Sequence, residues 1–472
     1  MRGNVLSWIA ERADQRAVAL ECAGRQLSYG ELLEASRQLA DQIRARCMDL
    51  REGVLRIGLH FPSGVDYVPL AMAVLQAGAC FVPVPEELSC VEKQDLIQRT
   101  ALDALITSDD PPGAHPISHG AVRAWLSVLK RGESALDEVA FTELNPAFIR
   151  FSSGTTGAAK GVVLSHESLR ERIICANQAL KIGEGDRILW VLPMAHHFAV
   201  SIVLYLYFGG TAILAEGAAL GSDLLEMGRR TSPTVMYGSP LHYRQLVGAC
   251  GGAKAGWSEL RLAISTAAAL DSATADAFCS AFGLPLTQAM GIIEAGLPLV
   301  NLDDAEGCPT AVGKPLPGWE CRVSEESGEL LFRGPGMFDA YLDPWTLRDE
   351  VLDSEGWFHT GDVAQMDEAG RVELVGRLKS MINVGGMKVF AEEIERVMEQ
   401  HPSVARAMVT GRDHAVFGEI PIAKVMAKGD ERESKDVLRW CRQRLAGWKV
   451  PAVIEWVDQL PTTASGKLKR AG

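Results

Sequence analysis

The sequence predicts an α/β protein. A large N-terminal domain of layered, mostly parallel sheets with helices carries a small β-rich subdomain, and a small α+β domain follows. Three observations predict this. Short apolar strands alternate with helical patterns as far as Ser265. Near Glu329 the character changes to short strands separated by glycine-containing turns. And 472 residues exceed what one compact core accommodates.

The elements follow in order. Tyr29 to Arg46 carries Leu32, Leu33, Ala35, Leu39 and Ile43 at helical spacing, with Ser28 as its N-cap. Val54–Leu59 reads as a strand, Tyr67–Ala77 as a helix, and Cys80–Val84 and Leu105–Thr107 as further strands. Ser165-His166-Glu167-Ser168 opens a helix. Arg187–Leu192, Ala212–Ala215, Thr234–Met236 and Leu262–Ser265 continue the rhythm of apolar strands beside helices. Glu329–Gly334, Val363–Met366 and Arg371–Val375 are the strands of the β-rich part. A compact α+β pattern runs from beyond Lys379 to the end.

Composition narrows the function. Apolar residues make up 47% and charged residues 23%, as in a soluble globular protein. No apolar run approaches the ~20 residues of a membrane span, and the N-terminus lacks the apolar core of a signal peptide. A cytoplasmic protein is therefore expected. The ten cysteines include no C-x-x-C pair, which speaks against a disulfide framework or a zinc site. A net charge of −13 argues against general nucleic-acid binding. From Lys379 onward, however, Lys and Arg outnumber Asp and Glu, which would suit a domain that closes over an anionic ligand.

The most informative stretch runs from Phe151 to Gly161. Ser152, Ser153, Thr155 and Thr156 offer hydroxyls, Gly154 and Gly157 free the backbone, and Lys160 adds a compact positive charge. The stretch reads as a phosphate cradle, although the G-x-x-x-x-G-K-[ST] spacing of a Walker A loop is absent.

Six further segments follow in order: Leu192–Phe198, Gln288–Glu294, Gly328–Gly334, Gly356–Asp362, Gly376–Val389 and Pro461–Lys467. With the cradle, they make the chain resemble the adenylate-forming superfamily of acyl-CoA synthetases, nonribosomal adenylation domains and luciferases, over essentially its whole length. The resemblance implies an N-terminal domain, 1–377, that binds ATP and an acid, and a mobile C-terminal domain, 378–472. Lys467 would be the catalytic lysine and Lys379 the hinge. Gly385 and Gly386 would line the channel for the thiol acceptor. Glu294 would be catalytic and reach Mg2+ on the triphosphate, since Mg2+ favours one or two carboxylates plus phosphate oxygens. Asp362 and Arg377 would hold the nucleotide, with the Asp362 carboxylate accepting from ribose hydroxyls. Ala267, Ala268, Met290 and Gly291 would complete the nucleotide pocket.

Three positions depart from the family pattern. Met290 stands where a tyrosine usually packs on adenine, Ile293 where a hydroxyl commonly touches phosphate, and Ser265–Leu270 lacks the usual Gly-Gly-Ala-Pro. Met290 can still cover a ring with its thioether.

The segment His196-His197-Phe198 carries no carboxylate for a substrate ammonium. By the resemblance, His196 would be a gate and catalytic residue. His197, Phe198, Tyr237, Gly238, Ser239, Ala267 and Gly291 would line the acid pocket. An aryl or medium-chain carboxylic acid is expected, activated to an acyl-adenylate with pyrophosphate release. The acceptor would arrive in trans, as coenzyme A or the phosphopantetheine of a separate carrier protein. A nucleotide-binding regulator without turnover, or a stand-alone amino-acid-activating enzyme, remains as an alternative.

Overall fold

A computed structural model describes residues 3–47, 49–50, 52–130, 136–151, 160–215, 221–384, 387–414, 417–462 and 468, without the side chains of Val200 and Lys388. The fold is mixed α/β, and the residues pack into two compact units. The first takes in Met1–Gly154, Ala159–Glu320 and Arg333–Gly356; the second holds Cys321–Phe332 and Trp357–Gly472. The β-rich strands thus pack mainly with the C-terminal elements, ahead of the boundary expected at residues 377/378.

The first unit contains two nine-stranded sheets. In one, Thr287–Ile292, Leu262–Ser265, Val235–Gly238, Arg187–Trp190, Thr211–Leu214 and Val18–Cys22 run parallel as neighbours. Antiparallel strands flank them: Gly296–Val300 on one side and Arg25–Ser28 on the other. In the other sheet, Pro146–Phe151, Cys80–Pro83, Arg56–His60 and Ala104–Thr107 are the parallel centre. Val122–Val128 and Gly161–Ser165 are its antiparallel neighbours. Most strands of the parallel centres match the alternation in the sequence; Val18–Cys22, Thr287–Ile292 and Pro146–Phe151 lie outside the expected strands, as do the antiparallel flanks.

Local chemistry accounts for the helix boundaries. Ser28 and Glu31 form a capping box: the Glu31 amide donates to Ser28 Oγ at 3.2 Å, and the Ser28 amide donates to Glu31 Oε2 at 2.8 Å. The helix Tyr29–Cys47 then buries Leu32, Ala35, Leu39 and Ile43. Ser165 caps His166–Leu180 by accepting from the Ser168 amide at 3.0 Å.

In the second unit, Glu320–Val323, Glu329–Arg333, Phe358–Met366 and Val372–Arg377 make a four-stranded sheet. A five-stranded sheet follows, built on the long hairpin of Val404–His414 and Gly418–Ala427. Its helices Ala391–Glu399 and Ser434–Arg442 bury Ile394, Met398, Val437 and Cys441 in a common apolar core. No helix among the described residues is long and apolar enough to cross a membrane.

Candidate active site

In the first unit, the strand Pro146–Phe151 runs directly into the cradle. Ser152, Ser153, Gly154, Thr155, Thr156 and Gly157 lie outside the described residues; Lys160 lies within them. Its ammonium sits 4.3 Å from the centre of the Tyr341 ring, within cation–π range. The Tyr341 hydroxyl donates to Glu294 Oε1 at 3.2 Å. Burial, and then the Glu294 charge, push the Tyr341 hydroxyl well above the ordinary tyrosine range. Lys160, Tyr341 and Glu294 are therefore one connected group, drawn from three distant parts of the chain.

Glu294 occupies the turn between the antiparallel strands Thr287–Ile292 and Gly296–Val300. Two partners hold its carbonyl: the Phe338 amide at 2.7 Å and the Arg172 guanidinium at 3.4 Å. Arg172 also donates to the carbonyls of Ile293 at 3.0 Å and Gly336 at 2.7 Å. Position 336 has to be glycine. Its φ is +66°, and a Cβ there would stand 2.4 Å from the Arg172 amide nitrogen. Arg172 is buried, and burial lowers its guanidinium to about 10, against the pull of Asp339 and Glu294. The turn is thus held rigidly by its backbone, leaving the Glu294 carboxylate to side-chain partners.

Met290 and Gly291 lie on the strand Thr287–Ile292, and Ala267 and Ala268 in the bend that follows the strand Leu262–Ser265. Met290 is buried and Gly291 exposed at the end of Thr287–Ile292. Ala267 has φ +72°, an uncommon conformation for a residue with a Cβ, and Ala268 beside it is exposed. The Ser265 hydroxyl is buried with no hydrogen-bond partner among the described residues.

On the acid side, Trp190 and Tyr237 are register partners on neighbouring parallel strands. Their rings stack with centres 5.2 Å apart at 25°. His197 meets Trp190 edge-on at 5.6 Å. Burial lifts the Tyr237 hydroxyl to about 12, while its hydrogen bond with Thr266 works the other way. Trp190, Tyr237 and His197 form an aromatic wall. His196 stands beside it, with Nε2 2.6 Å from Glu87 Oε1.

Two expected pocket residues have other duties. Phe198 is buried in a cluster with Phe81, at 5.5 Å, and Tyr67, at 6.0 Å. Ser239 precedes the helix Pro240–Cys250, and its Oγ lies 2.8 Å from His242 Nδ1 in a capping contact. Gly238, between Tyr237 and Ser239, is the last residue of its strand.

In the second unit, Asp362 and Arg377 face each other across antiparallel strands, with Arg377 Nε 2.8 Å from Asp362 Oδ1. The Asp362 amide donates to Thr360 Oγ1 at 3.0 Å, and the Gly361 amide to Glu329 Oε1 at 2.7 Å. These bonds fix the stretch of strand Phe358–Met366 that carries Asp362. Lys379 is exposed in the single 3-10 turn Leu378–Ser380. Ser380 pins the end of that turn by donating to Glu392 at 2.7 Å. Gly385, Gly386 and Lys467 lie outside the described residues.

Sequence reasoning missed Trp190, Tyr341, Thr266 and Arg150. Only Arg150 left a local signal, as a lone charge in the otherwise apolar strand Pro-Ala-Phe-Ile-Arg-Phe.

Residues 6–342 match the AMP-binding enzyme family, and residues 393–467 match the AMP-binding enzyme C-terminal domain. A feruloyl-CoA synthase of Amycolatopsis is 30% identical over 484 residues, covering 98% of this chain and 96% of that protein. A 3-[(3aS,4S,7aS)-7a-methyl-1,5-dioxo-octahydro-1H-inden-4-yl]propanoyl:CoA ligase of Mycobacterium tuberculosis is 30% identical over 451 residues, covering 88% and 87%. The crystal structure of ATP-bound MatB from Rhodopseudomonas palustris superposes with a TM-score of 0.83 at 25% identity, over 99% of this chain and 97% of that one. With a family match that spans well over half of its residues, the chain belongs to the AMP-binding enzyme family.

Proposed function

We propose that this protein is an AMP-forming acid–thiol ligase that activates an aryl or medium-chain carboxylic acid and passes the acyl group to coenzyme A. In the first half-reaction a carboxylate oxygen attacks the α-phosphorus of ATP, and the bond to the leaving pyrophosphate breaks. In the second, the thiol sulfur attacks the acyl carbon, AMP leaves with the bridging oxygen, and the thiol proton passes to solvent. The observation that carries this reading is the group of Lys160, Tyr341 and Glu294 at the end of the cradle. It joins a cation suited to phosphate with a carboxylate suited to a metal.

The donor set fits Mg2+ delivered with a triphosphate. No group of three or more metal-ligating side chains gathers among the described residues. A nucleotide-bound Mg2+ needs only one or two carboxylates, and Glu294 supplies one. When bound, Mg2+ would neutralise charge on the triphosphate. Tyr341 orients the Glu294 carboxylate through its hydroxyl. Asp362 and Arg377 would take the ribose, Met290 would cover the adenine, and Ala267, Ala268 and Gly291 would border it.

The aromatic wall of Trp190, Tyr237 and His197 supports an aromatic acid, because flat rings offer offset and edge contacts to another ring. A feruloyl-CoA synthase among the relatives favours the same class. His196 would border the acid beside that wall. We assign Lys467 to the charge that builds as the α-phosphorus is attacked, Lys379 to the pivot, and Gly385 and Gly386 to the thiol channel. A carrier-protein phosphopantetheine is the other acceptor with the same thiol chemistry. A cytoplasmic location agrees with the composition.

Pyrophosphate exchange with benzoate, ferulate, anthranilate, malonate and octanoate tests the reading, followed by mass spectrometry of products with coenzyme A. The expected result is exchange with at least one aromatic acid and a matching thioester. Exchange with none of the acids overturns it.

A further inference from the structure

Arg150 is the one charged residue of the strand Pro146–Phe151, whose Pro146, Ala147, Phe148 and Ile149 are all buried. A guanidinium on such a strand is costly unless its donors are met. One Nη donates to the carbonyl of His196. The Nε is buried and has no hydrogen-bond partner among the described residues. The Glu294 carboxylate acts on the guanidinium electrostatically and favours its charged form. Burial lowers Arg150 to about 10, so it stays cationic at neutral pH. Nothing assigned above uses this charge.

Its position states what it can do. The peptide that anchors it, at His196, borders the aromatic wall on which an aromatic acid would lie. The Glu294 carboxylate, which belongs to the group next to the cradle, is near enough to act on the same guanidinium. Arg150 is thus linked to the aromatic wall through the His196 carbonyl and to the group next to the cradle through the Glu294 charge. Adenylation brings a carboxylate against a polyphosphate, two anions that repel. A cation between them offsets that repulsion and orients the nucleophile. The planar guanidinium matches a carboxylate better than a point charge would.

We propose that Arg150 binds the carboxylate of the acid to be activated, donating from the guanidinium N–H groups that the His196 anchor leaves over, while the Nη held on His196 keeps the fork in place. The inference rests on the acid-activation reading, and its test separates the two.

The Michaelis constants for acid and for ATP are measured by pyrophosphate exchange in wild type, Arg150→Lys and Arg150→Met, with the panel acid of highest wild-type rate. Losing a charge-assisted pair predicts a rise of about tenfold or more in the acid constant for Arg150→Met. Partial recovery is expected in Arg150→Lys, with the ATP constant within about threefold of wild type. Calorimetry without ATP compares benzoate, ferulate and octanoate with their carboxamides. Wild type should prefer the carboxylates, and Arg150→Met should lose that preference. A merely structural arginine would not discriminate carboxylate from carboxamide. An unchanged acid constant, a rise in the ATP constant alone, or the same carboxylate preference in wild type and Arg150→Met overturns the assignment. If no acid supports exchange, the activation reading falls, and calorimetry decides the carboxylate site by itself.

Discussion

Arg377 donates through Nε to Oδ1 of Asp362 at 2.8 Å, and the two residues are register partners on adjacent antiparallel strands. The carboxylate is nearly buried, at 7% side-chain exposure, whereas the guanidinium is 36% exposed. The ion pair therefore orients Asp362 more than it stabilises the fold. A carboxylate accepts several hydrogen bonds at once, so pairing with Arg377 is compatible with accepting from vicinal hydroxyls.

Asp362→Asn tests that capacity. The amide oxygen can still accept from Arg377, so the melting temperature should stay close to wild type. Two charge-assisted bonds to the ribose would weaken, and the Michaelis constant for ATP should rise about tenfold. An unchanged constant in pyrophosphate exchange places the ribose elsewhere.

Glu294→Gln removes the charge proposed to meet Mg2+ and keeps an oxygen for the Tyr341 hydroxyl. Adenylation should fall on the order of a hundredfold, and the Mg2+ concentration for half-maximal rate should rise. Tyr341→Phe should cost less than about tenfold, because it loosens the carboxylate without removing it. A Mg2+ titration of both variants checks the order; a larger loss in Tyr341→Phe would reverse the roles.

Lys467→Ala should abolish acyl-adenylate formation while ATP binding survives within a few-fold. The residue is assigned to charge that exists only as the α-phosphorus is attacked. Thioester formation from preformed acyl-adenylate should persist. Adenylation at the wild-type rate would remove Lys467 from the chemistry.

His166 makes stability depend on pH. It is buried, and its Nδ1 accepts from the Val5 amide at 3.2 Å, tying the first helix to the helix His166–Leu180. Burial lowers the imidazole from 6.5 to about 4. A folded value below the unfolded one means that the unfolded chain binds the proton first. The contribution is fully present above about pH 6.5 and is lost as the pH falls toward 4, roughly 3 kcal/mol in all. Thermal melts from pH 4 to 7.5 should show this slope, and His166→Asn should flatten it. An equal slope in both proteins would place the dependence elsewhere.

Apart from Val18–Cys22, Thr287–Ile292 and Pro146–Phe151, the parallel strands of both large sheets are legible in the sequence, as are the helix starts at Ser28 and Ser165, the β-rich strands and the family. Each of these is written in a short window: alternating apolar runs, a capping pair three residues apart, or a motif. The tertiary structure alone decided which side chains meet. Tyr341 reaches Glu294 across 47 residues of chain, and Arg150 reaches His196 across 46. Trp190 stacks on Tyr237 because parallel pairing sets their strands in that register. Phe198 and Ser239 were expected at the acid, but Phe198 packs against two other rings and Ser239 caps a helix. A local pattern states that a residue is apolar or can donate. The partner that uses this property is chosen by burial and sheet register, which join positions far apart in the chain.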